Sequence, residues 1–330
     1  MSLLRYDVTT GDWIIFAPER GRRPSHGKQA QAPATEPVQC PFCPGQEATG
    51  SKEIFTVRIP SGNGWLVRVI ANKYPALRIE DHIQRVEDGR LFRHMGGCGA
   101  HEVVIESPDH SVYLAHQSPE QIERILGTLH FRCNDLMRDP RFQTIIIFKN
   151  HGEGAGTSIR HPHCQIIATP VVPRLLRLKH RVAVDYFDQS GRCLYCDVLS
   201  DEMATGERLL VENEHFAAVL PYASYVPYQI RIFPKHRQAS FGRADPRTFR
   251  ALAELLKTVL QKLHFGLHDP DYNLTLNTVP RGDEDEEYFN WHIDILPRLT
   301  NPAGFELGSG MAINIVLPEE ACQNLRQVQV

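Results

Sequence analysis

A chain of 330 residues is long enough to bury a sizeable core and fits two domains or one duplicated domain. Its 42% hydrophobic and 23% charged residues are those of a globular protein and exclude a disordered or fibrous class. A formal charge of -3 argues against a protein built to grip a nucleic-acid duplex, whereas a small phosphorylated ligand needs only a local cluster of donors.

The first stretch carries Arg5, Asp7 and Asp12 where a signal peptide would be apolar. No run approaches the roughly 18 apolar residues of a membrane span, so a cytoplasmic chain without a membrane partner is expected. Residues 25–39, rich in Ala, Pro and Gln, read as a loop leading into Cys40-Pro41-Phe42-Cys43. Short β-rich runs follow at 65–70 and 102–105, the second closed by the turn-forming Ser107-Pro108-Asp109. Ser118 and Pro119 are a cap and first helical residue, and Ile122, Ile125, Leu126, Leu129, Cys133 and Leu136 recur at helical spacing. Asp139-Pro140 stops that helix, and the apolar run 144–148 is a strand.

The second half repeats this order. Cys193-x-x-Cys196 precedes strands at 216–220 and 228–233, then a helix carrying Phe249, Leu252, Leu255, Leu256, Val259, Leu260 and Leu263 on one stripe. Asp269-Pro270 stops it, and 272–276 is again a strand. The fold class expected is α+β: two copies of one unit, 1–170 and 171–330, each a mainly antiparallel sheet with a helix packed on it. Residues 171–191 would link the copies, and the basic cluster at 174–181 reads as a solvated face.

Two thiolates in a Cys40-x-x-Cys43 knuckle suit zinc, which takes four soft or borderline ligands. His110, just after the Ser-Pro-Asp turn, and His161 are the candidates for the other two positions. A redox role for either cysteine pair is the weaker alternative, since neither begins a helix that follows a strand.

The strongest local signal is His161-Pro162-His163-Cys164-Gln165, reached through the glycine-rich stretch 150–158. Alternate residues of a strand share a face, so His161, His163 and Gln165 would project together. A neutral imidazole attacks phosphorus near neutral pH, and the phosphoramidate formed can be discharged again. An amide such as Gln165 can donate to a phosphoryl oxygen as charge builds, and glycines let backbone N–H groups approach phosphate. A purely structural or metal-binding His-x-His is the competing reading.

The residues together resemble the galactose-1-phosphate uridylyltransferase family, a duplicated branch of the histidine-triad superfamily. The likeness runs nearly end to end: residues 17–24 (Ala-Pro-Glu-Arg-Gly-Arg-Arg-Pro), Cys40-Pro41-Phe42-Cys43, Asn72-Lys73-Tyr74-Pro75-Ala76, Glu106-Ser107-Pro108-Asp109-His110-Ser111, His-Pro-His-x-Gln and Gly304-Phe305-Glu306. The resemblance implies that His163 carries a nucleotidyl group, that Gln165 supports it, and that Cys40, Cys43, His110 and His161 hold zinc. It also implies that Arg20, Arg23, Asn72, Asn150, Thr157 and Ser158 surround the nucleotide, while Phe305 and Glu306 face the sugar phosphate. The reaction would be ping-pong: His163 displaces sugar 1-phosphate from a nucleotide sugar, and a second phosphate-bearing acceptor takes the nucleotidyl group. A homodimer is implied as well.

The second copy departs from the pattern. Its histidine sits one place early, in Pro234-Lys235-His236-Arg237, and Asn290 stands where relatives often carry a histidine. Cys193, Cys196 and His236 are the ligands expected for a second zinc site, with its fourth ligand unassigned. The segment 291–310 is similar to a branch that includes a plant ADP-glucose phosphorylase and uses inorganic phosphate as acceptor. The leading function is therefore hexose-1-phosphate uridylyl transfer. The alternatives are phosphorolysis of ADP-sugars or dinucleoside polyphosphates, and a zinc-knuckle nucleotide- or RNA-binding protein without turnover.

Overall fold

The computed structural model describes residues 2–22, 40–49, 51–60 and 62–330; Arg23, with the loop at 25–39, lies outside them. Two strands near the N-terminus, β1 (Leu3–Asp7) and β2 (Asp12–Phe16), form a hairpin that leads to the first repeated unit. That unit contains β3 (Glu53–Arg58), β4 (Trp65–Ala71), a small exposed hairpin of β5 (Arg85–Asp88) and β6 (Phe92–Met95), then β7 (Ala100–Ile105), α1 (Pro119–Leu136), β8 (Thr144–His151) and β9 (His163–Thr169). Two helices, α2 (Arg174–Ser190) and α3 (Leu194–Thr205), follow. The second unit contains β10 (Leu209–Glu212), β11 (Phe216–Val219), β12 (Ile230–Pro234), α4 (Phe249–Leu267), β13 (Tyr272–Asn277) and β14 (His292–Pro297). The chain continues through α5 (Gly304–Ser309), β15 (Ile313–Asn314) and α6 (Pro318–Gln327), and β15 pairs with β2.

Ten of these strands form one antiparallel sheet in the order β10-β11-β12-β14-β13-β8-β9-β7-β4-β3. Read from its centre, the order is a palindrome. Each half runs inward through its first three strands and ends with its last two crossed, and the halves join where β8 pairs with β13. The duplication expected from the two cysteine pairs and two apolar stripes is thus built into a single continuous sheet.

Both stripes face the same side. The Ser118 hydroxyl accepts from the Gln121 N–H at 3.2 Å, with Pro119 in the first turn, and Ile122, Ile125, Leu126 and Leu129 of α1 are buried. Leu252, Leu255, Leu256, Val259, Leu260 and Leu263 of α4 join them in one core with Val104, Ile166, Ile232 and Ile293 of the sheet. Each such side chain contributes about 1.5–3 kcal/mol when taken out of water, which is why the stripe positions a helix more firmly than helix propensity does.

The other face differs between halves. Over the second unit, Ala183 of α2 and Tyr195 and Leu199 of α3 pack on Ala217, Val219, Phe233 and Phe289. The expected linker at 171–191 does connect the two units, and it is helical: α2 has 17 residues and is closed by Gly191 at φ 68°. Its basic cluster is not wholly a solvated face either. Arg174, Arg177 and Arg181 are exposed, but Lys179 is buried and donates to Asn277 Oδ1 at 2.9 Å, with Asp294 Oδ2 at 3.4 Å. A period of 3.6 places every fourth charge of an amphipathic helix at its boundary, and this one found a carboxylate partner inside.

Candidate active site and metal centre

Two loops carry the first cluster. Cys40 and Cys43 lie in a tight turn, and the Asp109 carboxylate accepts from the Ser111 N–H at 2.9 Å, shaping the turn that presents His110. The Cys43 Sγ lies 3.3 Å from His110 Nδ1 and 3.6 Å from His161 Nδ1, and Cys40 Sγ lies 3.8 Å from the latter. All four donor atoms fall within 4.8 Å of one another, and this is the only group of three or more such donors among the described residues. His161 Nε2 donates to the Ser107 carbonyl at 2.8 Å, which leaves its Nδ1 lone pair directed at the sulfurs. Two sulfurs and two imidazole nitrogens in this arrangement fit a tetrahedral metal ion.

His163 follows two residues later at the start of β9. Its Nδ1 donates to the His161 carbonyl at 2.9 Å, so the unprotonated nitrogen is Nε2. The ring meets Phe42 edge-on with centroids 5.4 Å apart, and it lines a cleft of about 480 Å³ with Asn150, Thr157, Ser158, Arg160 and Tyr113. Burial lowers its pKa, as does Lys149, while the bond to the His161 carbonyl and nearby Glu106 act the other way. A neutral imidazole with a fixed tautomer and an Nε2 lone pair left over beside a cleft is able to act as a nucleophile.

Beneath β9 lies an ion pair that sequence reasoning did not assign. Lys149 Nζ is 2.7 Å from Glu106 Oε1 and 3.3 Å from the carbonyl of His163; the Cys164 thiol donates to the same carboxylate at 2.9 Å. Glu106 and Lys149 are almost fully buried, and Lys149 holds the backbone of His163 from below. Glu106 was visible only as part of a motif, and Lys149 sits inside an apolar strand.

Part of the glycine-rich stretch is held by the second unit. The Gly154 N–H donates to Asp271 Oδ2 at 2.6 Å, so a carboxylate occupies that one backbone donor, while Gly152, Thr157 and Ser158 line the cleft. Gly152 has φ 83°, and a Cβ there would come within 1.8 Å of Asp271 Oδ1. Asn273 donates to Asn150 Oδ1 at 2.8 Å and to the Ala155 carbonyl at 2.9 Å, and Arg298 in turn donates to Asn273 Oδ1. The second unit therefore sets the shape of the loop that carries Asn150, Thr157 and Ser158.

Among the other expected residues, Gln165 lies on the same face of β9 as His163, and Asn72 stands near it across His101. Arg20 is exposed on a 3-10 turn, and the lining of the cleft around His163 includes none of Gln165, Asn72, Arg20, Phe305 and Glu306. Glu306 instead accepts from the Ala303 N–H at 3.0 Å, capping α5.

The second metal centre expected at Cys193, Cys196 and His236 is not assembled. The two cysteines are joined as a disulfide on the first turn of α3, and His236 is exposed beyond β12. Cys193 caps that helix, although α3 follows a helix and not a strand. Asn290 takes over the clamping role: it donates to the Pro234 carbonyl at 2.9 Å and accepts from the Gln238 N–H at 3.0 Å. An amide bonded to two backbone groups fixes the strand entry without a metal, and Lys235 next to His236 is bound to Glu212.

Among the described residues no helix is long and apolar enough to cross a membrane. Residues 1–173 match the N-terminal domain, and 179–323 the C-terminal domain, of the family described as galactose-1-phosphate uridyl transferase. The chain is 37% identical over 334 residues to ADP-glucose phosphorylase of Arabidopsis thaliana, covering 99% of this chain and 93% of the relative. It is 29% identical over 340 residues to galactose-1-phosphate uridylyltransferase of Thermotoga maritima, covering 100% and 99%. A crystal structure of ADP-glucose phosphorylase from Arabidopsis thaliana with bound ADP-glucose superposes with a TM-score of 0.85 at 33% identity, covering 100% of this chain and 99% of that one.

Proposed function

The chain belongs to the galactose-1-phosphate uridyl transferase family and is a nucleotidyltransferase, and from this premise we propose that His163 carries the nucleotidyl group between donor and acceptor. The observation that carries the reading is the bond from His163 Nδ1 to the His161 carbonyl, which leaves Nε2 as a lone pair facing the cleft. Nε2 forms a bond to the α-phosphorus of a nucleotide sugar as the bond to the sugar 1-phosphate oxygen breaks. A phosphate oxygen of the acceptor then attacks the same phosphorus, and the electron pair of the P–N bond returns to Nε2. Gln165 donates its amide to the phosphoryl oxygens, and Asn150, Thr157 and Ser158 line the nucleotide side.

Cys40, Cys43, His110 and His161 would hold zinc, which supplies a fixed anchor for the strand entry and takes no part in bond making. Residues 1–170 are the catalytic unit and 171–330 the unit that buttresses it, in a chain read as cytoplasmic, active as a homodimer and without a nucleic-acid partner. The donor and acceptor pair is a UDP-hexose and a hexose 1-phosphate. A second reading, phosphorolysis of an ADP-sugar, is favoured by the 37% identity to ADP-glucose phosphorylase.

Intact mass measurement after brief exposure to UDP-glucose or ADP-glucose without acceptor tests both. A UMP adduct supports the first, an AMP adduct the second, and a wild-type level of adduct in His163→Gly would remove the mechanism.

A further inference from the structure

The strand β7 alternates strictly. Ala100 and Val104 enter the core under α1, and Glu102 pairs there with Arg132, so His101, Val103 and Ile105 lie on the face that carries His163 and Gln165. A histidine in that row, beside two apolar residues, has no role in the chemistry described above.

Its hydrogen bonds define its tautomer. The backbone N–H of Ala76 donates to His101 Nδ1 at 3.1 Å. A backbone nitrogen can only donate, so Nδ1 is the bare nitrogen of the neutral ring and Nε2 carries the proton. That Nε2 is 2.8 Å from Gln165 Oε1, the acceptor it meets. Asn72 Nδ2 is 3.1 Å from the same nitrogen but is itself a donor, and its Oδ1 accepts from the Tyr74 N–H at 2.9 Å, so it flanks this bond and does not share it.

A primary amide presents either its oxygen or its nitrogen, and turning it over interchanges a donor for an acceptor at the same place. Against a phosphoryl group the oxygen end repels and the nitrogen end donates. We propose that His101 is a positioning residue for nucleotidyl transfer: by donating to Gln165 Oε1 it holds the amide with its nitrogen toward the phosphoryl group on His163, and it ties that orientation to the loop 72–76. The inference rests on the reading of His163 as the nucleophile. It concerns the step in which charge builds on the phosphoryl oxygens, where a correctly aimed donor is worth about 100- to 1,000-fold in rate and a free-turning one less.

The test is the single-turnover rate of adduct formation at saturating UDP-glucose and, in a parallel arm, ADP-glucose, read by intact mass, with zinc content and thermal midpoint measured on the same samples. His101→Leu and His101→Asn both remove the bond, the second without adding apolar surface, because its amide is too short to span Ala76 and Gln165. Each should slow labelling by about tenfold or more at unchanged zinc content. His101→Gln, with an oxygen for Ala76 and an amide for Gln165, should restore labelling to within a few-fold. In a Gln165→Ala background His101→Asn should have no further effect, since the group it positions is gone.

A wild-type rate in His101→Asn, or the same loss with and without Gln165, would overturn the proposal. His163→Gly distinguishes the two levels of inference. If that variant still forms adduct, the nucleophile is wrong; if it forms none while His101→Asn labels normally, only the positioning role fails.

Discussion

His163 and His292 occupy equivalent places in the two halves, and only one of them faces a cleft. Each begins the last strand of its unit, and each donates from Nδ1 to the carbonyl two residues earlier, at 2.9 Å to His161 and 3.1 Å to Asn290. Beside His163 lies the cleft of about 480 Å³. Over His292 the helix α3 lays Tyr195, stacked with ring centroids 4.8 Å apart, and Phe233 and Phe289 close the sides. The ring is fully buried, and its Nε2 has no hydrogen-bond partner. The duplicated fold thus holds one histidine on a cleft and one sealed copy.

Replacing the sealed copy should leave the chemistry alone. His292→Leu keeps the volume roughly constant; it removes an unsatisfied buried nitrogen, whose desolvation costs about 1–3 kcal/mol, and also the bond to the Asn290 carbonyl, so the two effects oppose each other. Adduct formation on His163 should stay at the wild-type rate, and the urea midpoint should stay close to that of the wild type. A loss of labelling in this folded variant would show that the second copy takes part in turnover.

Emptying the proposed zinc site should slow labelling of His163 without altering that ring. Stripping with a chelator, or Cys43→Ser, frees the His161 ring from its anchor and loosens the strand entry that presents His163. Zinc content by elemental analysis should fall from about one per chain toward zero. The labelling rate should drop by at least about tenfold, with recovery on adding zinc back to the stripped wild type. Full labelling of metal-free protein would mean that the ion does not position the strand.

Lys149 is a stability hinge for the same strand. Lys149→Met leaves Glu106 buried with no cation beside it, and breaking a buried pair from one side costs about 3–5 kcal/mol. Chemical denaturation should show that loss. Glu106→Gln combined with Lys149→Met, which removes both charges, should recover a large part of it. Equal instability of the single and double variants would count against a charge pair as the cause.

His180 gives the fold an acid-sensitive limb. Burial lowers its pKa to about 4, against an ordinary value near 6.5, and it sits edge-on to Phe289 on the inner side of α2. The unfolded chain therefore binds a proton before the folded one does. Stability is full above about pH 6.5, falls by about 3 kcal/mol as the pH drops toward 4, and levels below it. In urea melts, the stability of His180→Leu relative to wild type should rise by that amount between pH 7 and pH 4. A constant difference across the range would exclude a neutral buried ring.

Much of this protein was legible in its sequence because the signals were local. The stripe from Ile122 to Leu136 and its echo from Phe249 to Leu263 fixed two helices and their buried faces, and Ser118 and Pro119 marked where the first begins. The repeated order of cysteine pair, strands, helix and strand revealed the duplication. The donors Cys40, Cys43, His110 and His161 were chosen by residue type, and the fold gathers them. Less legible were the helical form of the 171–191 connection, whose charges mask its period, and the pairing of Cys193 with Cys196, which are joined to each other while His236 is exposed beyond β12.

By itself the sequence determined the main elements and their twofold repetition, since these follow from the spacing of neighbouring residues, and it singled out the His161-Pro162-His163 motif. Tertiary structure alone decided which of the two equivalent histidines lines a cleft, for that depends on where α2 and α3 settle. It also decided that His101 bonds Gln165 and that Asp271 closes on Gly154, contacts spanning 64 and 117 positions. Such pairs are fixed by strand register and by the burial of apolar faces over the whole sheet, and no local pattern encodes them.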